Sequence, residues 1–155
     1  MIIEEVKGNA VTMYLEGKGH LIHGCNCFCN MGAGIAKEVK RRIPGAFQVD
    51  ELTTKGDVNK LGTNSVYAHS VDNHLSFVYN AYTQYKFWGN GPNVDYEAIR
   101  TCFKSAVAHA SAFKNNHPIL TPLIGAGLAG GDWNKIRAII EEATGDYPVI
   151  VVHFG

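Results

Sequence analysis

Residues 21–36 constrain the fold of this chain more than any other segment. They begin as an apolar run between turn residues, which is typical of a short buried strand. After a loop of small residues, a helix is indicated by apolar positions at the spacing of one face: Ile35, Ala36, Val39 and Ile43. Such a strand–loop–helix unit leaves backbone N–H groups unpaired at the helix start. The helix dipole favours an anion there, and phosphate is the usual one.

The loop in this unit contains Gly32 and Gly34, where the missing Cβ lets a ligand approach the backbone. It is neither a P-loop nor a dinucleotide fingerprint, because no Lys-Ser/Thr follows and the glycines are spaced differently. Taken alone, the segment fits a phosphate site and a tight turn that packs helix on strand equally well.

The rest of the chain alternates between strand-like and helical patterns. Strands are predicted at 1–6, 63–70, 75–80, 119–124 and 147–154, and helices at 46–53, 95–113 and 133–144. Residues 11–15 fit either a strand or a helical turn. Asp72-Asn73 suits a hairpin turn, Pro122 predicts a bulge or an edge strand, and 81–94 is predicted to be a long aromatic loop. This alternation predicts the α/β class with a mostly parallel sheet.

A second glycine-rich loop occupies residues 125–131, between a predicted strand and a predicted helix. Ligands of parallel α/β sheets lie beyond the carboxyl ends of the strands. Two such loops that face one crevice can hold a diphosphate or a sugar phosphate from both sides. The pair therefore favours a phosphate site over a purely structural turn.

Composition narrows the class of partner. Among 155 residues, 14 acidic side chains balance 14 basic ones, so no overall field attracts nucleic acid or an anionic membrane. With no membrane-spanning run and no signal peptide, we expect a cytoplasmic protein with reduced thiols. Cys25, Cys27 and Cys29 lack the paired spacing of zinc sites, so buried thiols are favoured and no metal is predicted. We expect a monomer.

Together, the two loops resemble the macrodomain family. The likeness rests on Asn26-Cys27, on Met31-Gly32-Ala33-Gly34-Ile35-Ala36 and on Pro122 to Trp133 (PLIGAGLAGGDW). It is strongest toward the stand-alone ADP-ribose 1″-phosphate phosphatases of yeast and phages, and it covers essentially the whole chain. The resemblance implies one domain over 1–155 and a three-layer α/β/α fold with a mixed, mostly parallel central sheet. It also implies that ADP-ribose or ADP-ribose 1″-phosphate lies across the strand ends.

The resemblance further implies the residues that contact the ligand. The first loop would bind the diphosphate through the main-chain N–H groups of Gly32, Ala33, Gly34, Ile35 and Ala36. The second loop would close over the diphosphate and the distal ribose with Gly125, Ala126, Gly127, Leu128, Ala129, Gly130 and Gly131. Ribose contacts are expected from Asn26, Asn30 and Asn80. Asn9 stands where many macrodomains have an aspartate that accepts from the adenine amine, and its carbonyl oxygen is a weaker, neutral acceptor.

For catalysis, the resemblance points to His23 and Asp132. His23 is expected to protonate the leaving sugar oxygen or to stabilise charge on it, and its alternative is a hydrogen-bonded core histidine. Asp132 is expected to activate or supply the attacking oxygen, and its alternative is a helix N-cap. Two other functions stay open: a binding module without catalysis, and a glycosidase that uses Lys86. The glycosidase is disfavoured because Ala129 stands where that subgroup has an aspartate.

Overall fold

The computed structural model describes residues 1–90, 92–113 and 117–155. Within them, one six-stranded sheet has the order β1-β6-β5-β2-β4-β3. The strands are β1 (Ile2–Gly8), β2 (His20–Asn26), β3 (Asn64–Val71), β4 (His74–Gln84), β5 (Ile119–Thr121) and β6 (Val149–Phe154). Neighbouring strands are parallel except β3 and β4, which form an antiparallel hairpin. The sheet is therefore mixed and mostly parallel, as predicted.

Helices cover both faces of this sheet. They are α1 (Ala10–Leu15), α2 (Gly34–Arg42), α3 (Pro44–Glu51), α4 (Tyr96–Ala112) and α5 (Trp133–Thr144), with a 3₁₀ turn at Val58–Lys60. The first three helices pack with Leu21 and Val78 on one face. The last two pack with Ile22 and Tyr79 on the other, which confirms the three-layer α/β/α fold. Among the helices in the described part of the chain, none is long and apolar enough to cross a membrane.

Two strands, β4 and β5, end three or more residues away from the ends that the sequence predicts. Strand β4 continues through Ala81 to Gln84, so the loop after it begins only at residue 85; Gly91 in that loop lies outside the described residues. Strand β5 ends at Thr121, between β6 and β2. Pro122 causes neither a bulge nor an edge, because it follows the strand's last residue and needs no ladder partner there.

The parallel arrangement sets the position of the site. Strands β1, β6, β5, β2 and β4 run in one direction, so all their carboxyl ends lie along one edge of the sheet. Strands β5 and β2 are neighbours, and therefore the two glycine-rich loops that follow them lie side by side.

Candidate ligand-binding cleft

A cleft formed by two adjoining cavities runs along this edge. The loop cavity has a volume of about 250 Å³ and lies between the loops that follow β2 and β5. The strand-end cavity, of about 550 Å³, lies beyond the ends of β1 and β6. Gly34, Ile35 and Pro122 line both cavities, so one elongated ligand can occupy the two together.

The first loop presents the uncapped start of α2 to the loop cavity. Ala33 is the N-cap residue, and its side chain makes no capping hydrogen bond. The first bond of the helix goes from the N–H of Lys37 to the carbonyl of Ala33, which leaves the N–H groups of Gly34, Ile35 and Ala36 without helical acceptors. Gly34 has φ +57°, a conformation that favours glycine at this turn into the helix.

The second loop is held in shape by its own backbone. The N–H of Gly131 donates to the carbonyl of Gly125 at 2.8 Å, and the N–H of Gly130 donates to that of Gly127 at 3.0 Å. A hydrogen bond from the loop after β4 also stabilises it, since the N–H of Asn93 donates to the carbonyl of Ala129 at 2.8 Å. Among the described residues, no acceptor pairs with the N–H groups of 127–129, and these residues line the cavity.

The loop cavity is electrically neutral in its side chains. Over the described ranges 1–90, 92–113 and 117–155, no Asp, Glu, His, Lys, Arg or Cys lines it. Its charge preference therefore comes from the backbone N–H groups and from the dipole of α2, which both favour an anion. A diphosphate suits this setting because no carboxylate lines the cavity to repel it.

Most of the predicted loop residues lie at this cavity. Its lining includes Asn26, Asn30, Ala33, Gly34, Ile35, Ala36, Gly125, Gly127, Leu128 and Ala129. Gly32, Ala126, Gly130 and Gly131 do not line it, and their contacts with a ligand stay predictions. The N–H of Gly32 already donates to Oδ1 of Asn30 at 3.1 Å. The N–H groups of Ala126, Gly130 and Gly131 donate to carbonyls within the second loop.

The two asparagines of the first loop differ in what they can offer a ligand. Asn26 is buried; its Nδ2 donates to the carbonyl of Asn30 at 2.8 Å, and its Oδ1 accepts from the N–H of Phe28 at 2.9 Å. Both of its polar atoms thus hold the loop together. Asn30 is exposed, and among the described residues its Nδ2 has no acceptor, so it is the asparagine with a donor left for a ribose.

The structure places His23 and Asn80 beneath the cleft, in the core. Both side chains are fully buried, and neither lines the cavity. Nδ2 of Asn80 donates to the carbonyl of Ala46 at 2.9 Å and to Oγ of Ser65 at 3.0 Å, so Oδ1 accepts from Nε2 of His23 at 2.7 Å. This pair joins β2, β4, β3 and α3. This buried pair favours the alternative of a hydrogen-bonded core histidine, and the contacts of His23 with a substrate and of Asn80 with a ribose stay predictions.

The burial of His23 predicts a pH-dependent stability. Its pKa is lowered from 6.5 to about 4, because burial penalises the charged imidazolium more than the hydrogen bond to Asn80 favours it. Between these values the unfolded chain binds a proton that the folded protein does not, so stability is lost as the pH falls. The full loss through this residue is about 3 kcal/mol, reached near pH 4.

Urea unfolding at pH 7 and pH 5 checks this prediction. We expect His23→Gln, whose amide can still donate to Asn80, to reduce the loss between these pH values by about 2 kcal/mol relative to the original protein. The pKa values of His109 and His117 are also lowered by burial, but both remain in the variant and cancel in the comparison. Equal losses for the two proteins would contradict the prediction.

Asp132 is the N-cap of α5. Its Oδ1 accepts from the N–H of Asn134 at 3.0 Å, and its own N–H donates to the hydroxyl of Tyr96 at 3.0 Å. The carboxylate is exposed and is not among the residues that line the loop cavity. The capping alternative is thus confirmed, and Oδ2 makes no hydrogen bond within the described residues. A catalytic role for Asp132 stays a prediction.

Sequence reasoning missed part of the lining. The missed residues are Gly24, Thr83, Gln84, Phe87, Asn93, Pro122, Leu123 and Ile124. Thr83 is buried, and its Oγ1 has no hydrogen-bond partner among the described residues. A Cβ on Gly24 would lie only 2.9 Å from that oxygen, so glycine keeps this part of the cavity open. The run of aromatic residues in the loop after β4 was the sequence signal that could have identified Phe87 as part of the lining.

The cysteines largely follow the expectation of buried thiols. All four are free, with Cys25, Cys27 and Cys102 buried and Cys29 half-buried. Sγ of Cys29 donates to the carbonyl of Asp50 at 3.3 Å. This bond holds the first loop against α3, and the bond from Sγ of Cys27 to the carbonyl of Gln84 at 3.6 Å holds it against β4.

Comparison with known proteins gives the family. The Macro domain family matches residues 22–140, which include both glycine-rich loops. This chain belongs to the macrodomain family. A 17.5 kDa protein from the tk–vs intergenic region of Enterobacteria phage T4 is 35% identical to this macrodomain over 153 residues, which are 98% of this chain and 96% of the phage protein.

Solved structures agree with the fold. A protein from Bacteroides thetaiotaomicron is 27% identical to this macrodomain, with a TM-score of 0.77 over 99% of this chain and 98% of its own. The DarTG protein of Thermosipho africanus, solved in complex with ADP-ribose, has a TM-score of 0.71 at 16% identity. That alignment covers 97% of this macrodomain and 42% of the longer chain. At this low identity, the second likeness is evidence for the fold alone.

Proposed function

We propose that this macrodomain binds ADP-ribose, with the diphosphate and distal ribose in the loop cavity and the adenosine in the strand-end cavity. The observation that carries the proposal is the convergence of N–H groups from residues 34–36 and 127–129 on one cavity without ionisable side chains. The adjoining cavity of about 550 Å³ has room for a nucleoside. ADP-ribose is the ligand in the complex of the Thermosipho africanus protein, which has the same fold, and it is therefore the nucleotide we choose for the proposal.

Calorimetric titration of the protein with ADP-ribose tests the proposal. We expect measurable one-to-one binding, and weaker binding of AMP, which lacks the second phosphate and the distal ribose. The proposal would be overturned if the titration gave no heat and if ADP-ribose did not compete with labelled ADP-ribose for the protein. The expected partner is thus a small molecule, and the protein is expected to act as a monomer.

The buried hydroxyl of Thr83 predicts a contact with the ribose. Because this hydroxyl lacks a partner among the described residues, we expect it to bond a ribose hydroxyl in the complex. Thr83→Val keeps the shape and should weaken ADP-ribose binding about tenfold, while stability is unchanged or rises. Isothermal titration and thermal unfolding measure the two effects.

Ser76 provides the matched control for Thr83. Its hydroxyl is likewise buried without a partner among the described residues, but it lies near the start of β4, whereas Thr83 lies near the end. Ser76→Ala should leave the affinity unchanged. If both variants bind ADP-ribose as the original protein does, Thr83 makes no contact with the ligand.

As a finer function, we propose that the protein removes the phosphate from ADP-ribose 1″-phosphate. Asp132 is the only acidic residue in either loop, over 27–33 and 122–132. It is exposed, and it lies in the same loop as Leu128 and Ala129 of the cavity lining. Its carboxylate would accept a proton from a water molecule that attacks phosphorus. The bond from phosphorus to O1″ then breaks, the proton passes to O1″, and the products are phosphate and ADP-ribose.

A phosphate-release assay on ADP-ribose 1″-phosphate separates this function from the two alternatives. Binding of ADP-ribose without release of phosphate would identify a binding module. The geometry gives little support to the glycosidase alternative. Lys86 is exposed and does not line the loop cavity, while Ala129 occupies the place of that subgroup's acid. Release of ADP-ribose from a modified protein or nucleic acid would favour that alternative instead.

A further inference from the structure

Tyr96 connects Asp132, the proposed general base, to a distant part of the chain. It is the first residue of α4, and its hydroxyl accepts from the backbone N–H of Asp132, 36 residues later, at 3.0 Å. Oδ1 of Asp132 in turn accepts from the N–H of Asn134 at 3.0 Å. These two bonds fix both the backbone and one carboxylate oxygen of Asp132, and together they set the direction of Oδ2.

The bond to Tyr96 replaces one that many helices supply themselves. In a capping box, Glu or Gln at the third helical position reaches back and accepts from the N–H of the N-cap residue. The third residue of α5 is Lys135, whose ammonium has no acceptor atom. A cation in the first turn is also unfavourable to the helix dipole. Because such departures from local rules are expected at functional sites, the start of α5 indicates a role beyond folding.

The ring of Tyr96 is fixed on both sides. It is half-buried against the core between α4 and α5, and Nζ of Lys135 lies 4.1 Å from its centroid. The start of α4 is anchored to the wall of the loop cavity, because the N–H of Asp95 donates to the carbonyl of Thr83 at 2.8 Å and Thr83 lines that cavity. Tyr96 therefore fixes Asp132 relative to the cavity as well as relative to α5.

We propose that Tyr96 is a positioning residue for phosphate release: its hydroxyl holds Asp132 so that Oδ2 can accept the proton of the attacking water. This inference rests on the proposed phosphatase function. A general base acts only within hydrogen-bond reach of the proton it takes, and a misplacement of about 1 Å can cost about a hundredfold in rate. Loss of the hydroxyl therefore slows the chemical step. It leaves ADP-ribose binding unchanged, because that binding uses the backbone of the two loops.

The test is phosphate release from ADP-ribose 1″-phosphate by Tyr96→Phe, which keeps the ring and loses the acceptor. We expect kcat to fall about tenfold, while KM and the calorimetric affinity for ADP-ribose stay within about twofold. Tyr147→Phe is the matched control, because it removes a hydroxyl that donates to the carbonyl of His117 at 2.6 Å, at the edge of the sheet opposite the cleft. This control should keep the original kcat. A kcat of Tyr96→Phe within about twofold of the original overturns the inference.

Two further backgrounds show whether Tyr96 acts through Asp132. Lys135→Gln gives α5 a side chain that can accept from the N–H of Asp132, so adding Tyr96→Phe to it should lower kcat less than about threefold. Added to Asp132→Asn, Tyr96→Phe should lower kcat no further, because the two residues then act as one unit. A full tenfold loss in either background would mean that the hydroxyl acts on something other than Asp132, and it would overturn the positioning role.

Failure of the inference is distinguishable from failure of the proposed function. If Asp132→Asn releases phosphate slowly and Tyr96→Phe releases it at the original rate, only the role of Tyr96 is wrong. If the original protein releases no phosphate, or if Asp132→Asn is fully active, the proposed reaction through Asp132 is overturned and the inference falls with it.

Discussion

Gly127→Glu should abolish ADP-ribose binding while the protein stays folded. Gly127 is exposed, lines the loop cavity and lies at the N–H groups expected to bind the diphosphate. A carboxylate there would oppose two phosphate charges inside the loop cavity, whose described lining holds no compensating cation. We expect the affinity for ADP-ribose to fall more than a hundredfold in a calorimetric titration, since charge repulsion and loss of space act together.

The fold tolerates this substitution because the position is open. A Cβ on Gly127 meets nothing within 4 Å, and its φ is not in the left-handed region, in contrast to φ +74° at Gly125 and Gly130. Thermal unfolding should therefore stay close to that of the original protein. Asn59→Glu carries the same charge on an exposed turn and should bind normally. A folded Gly127→Glu variant that binds ADP-ribose within tenfold of the original affinity would show that the ligand lies elsewhere.

The architecture was predictable because it follows from local patterns. The apolar spacing of Ile35 and Val39, the glycines around them, and the strand–helix alternation act within short stretches of sequence. Strand β4 shows where this local information ends. Its last residues pair with β2 and β3, and only that pairing makes a strand of a segment that the sequence alone presents as a loop.

The backbone part of the site could be predicted from the sequence. The roles of its side chains were harder to predict. Glycine-rich loops at strand ends indicate an anion site, because the close approach of a ligand to the backbone requires glycine within the loop itself. Whether His23 faces a ligand depends on what covers its side of the sheet. There, Asn80 bonds to it from β4 and to the carbonyl of Ala46, 34 residues away in the chain. No local pattern encodes such a contact, nor does one encode the unpaired hydroxyl of Thr83.

Asp132→Asn should separate the two roles of this residue. Asparagine caps helices as well as aspartate, so the bond from the N–H of Asn134 and the stability of α5 are kept. The amide cannot accept a proton from water at neutral pH. We expect phosphate release from ADP-ribose 1″-phosphate to fall about 100-fold or more, as is usual for loss of a general base, while ADP-ribose binding is unchanged.

Asp57 supplies the control with the same geometry. Its Oδ1 accepts from the N–H of Asn59 at 2.9 Å, two residues ahead, just as Asp132 accepts from Asn134, but at a 3₁₀ turn. Asp57→Asn should release phosphate at the original rate. Undiminished turnover by Asp132→Asn would make Asp132 a cap only. Because the described lining of the loop cavity offers no ionisable group, the general base would then have to come from the substrate or from another residue outside that lining.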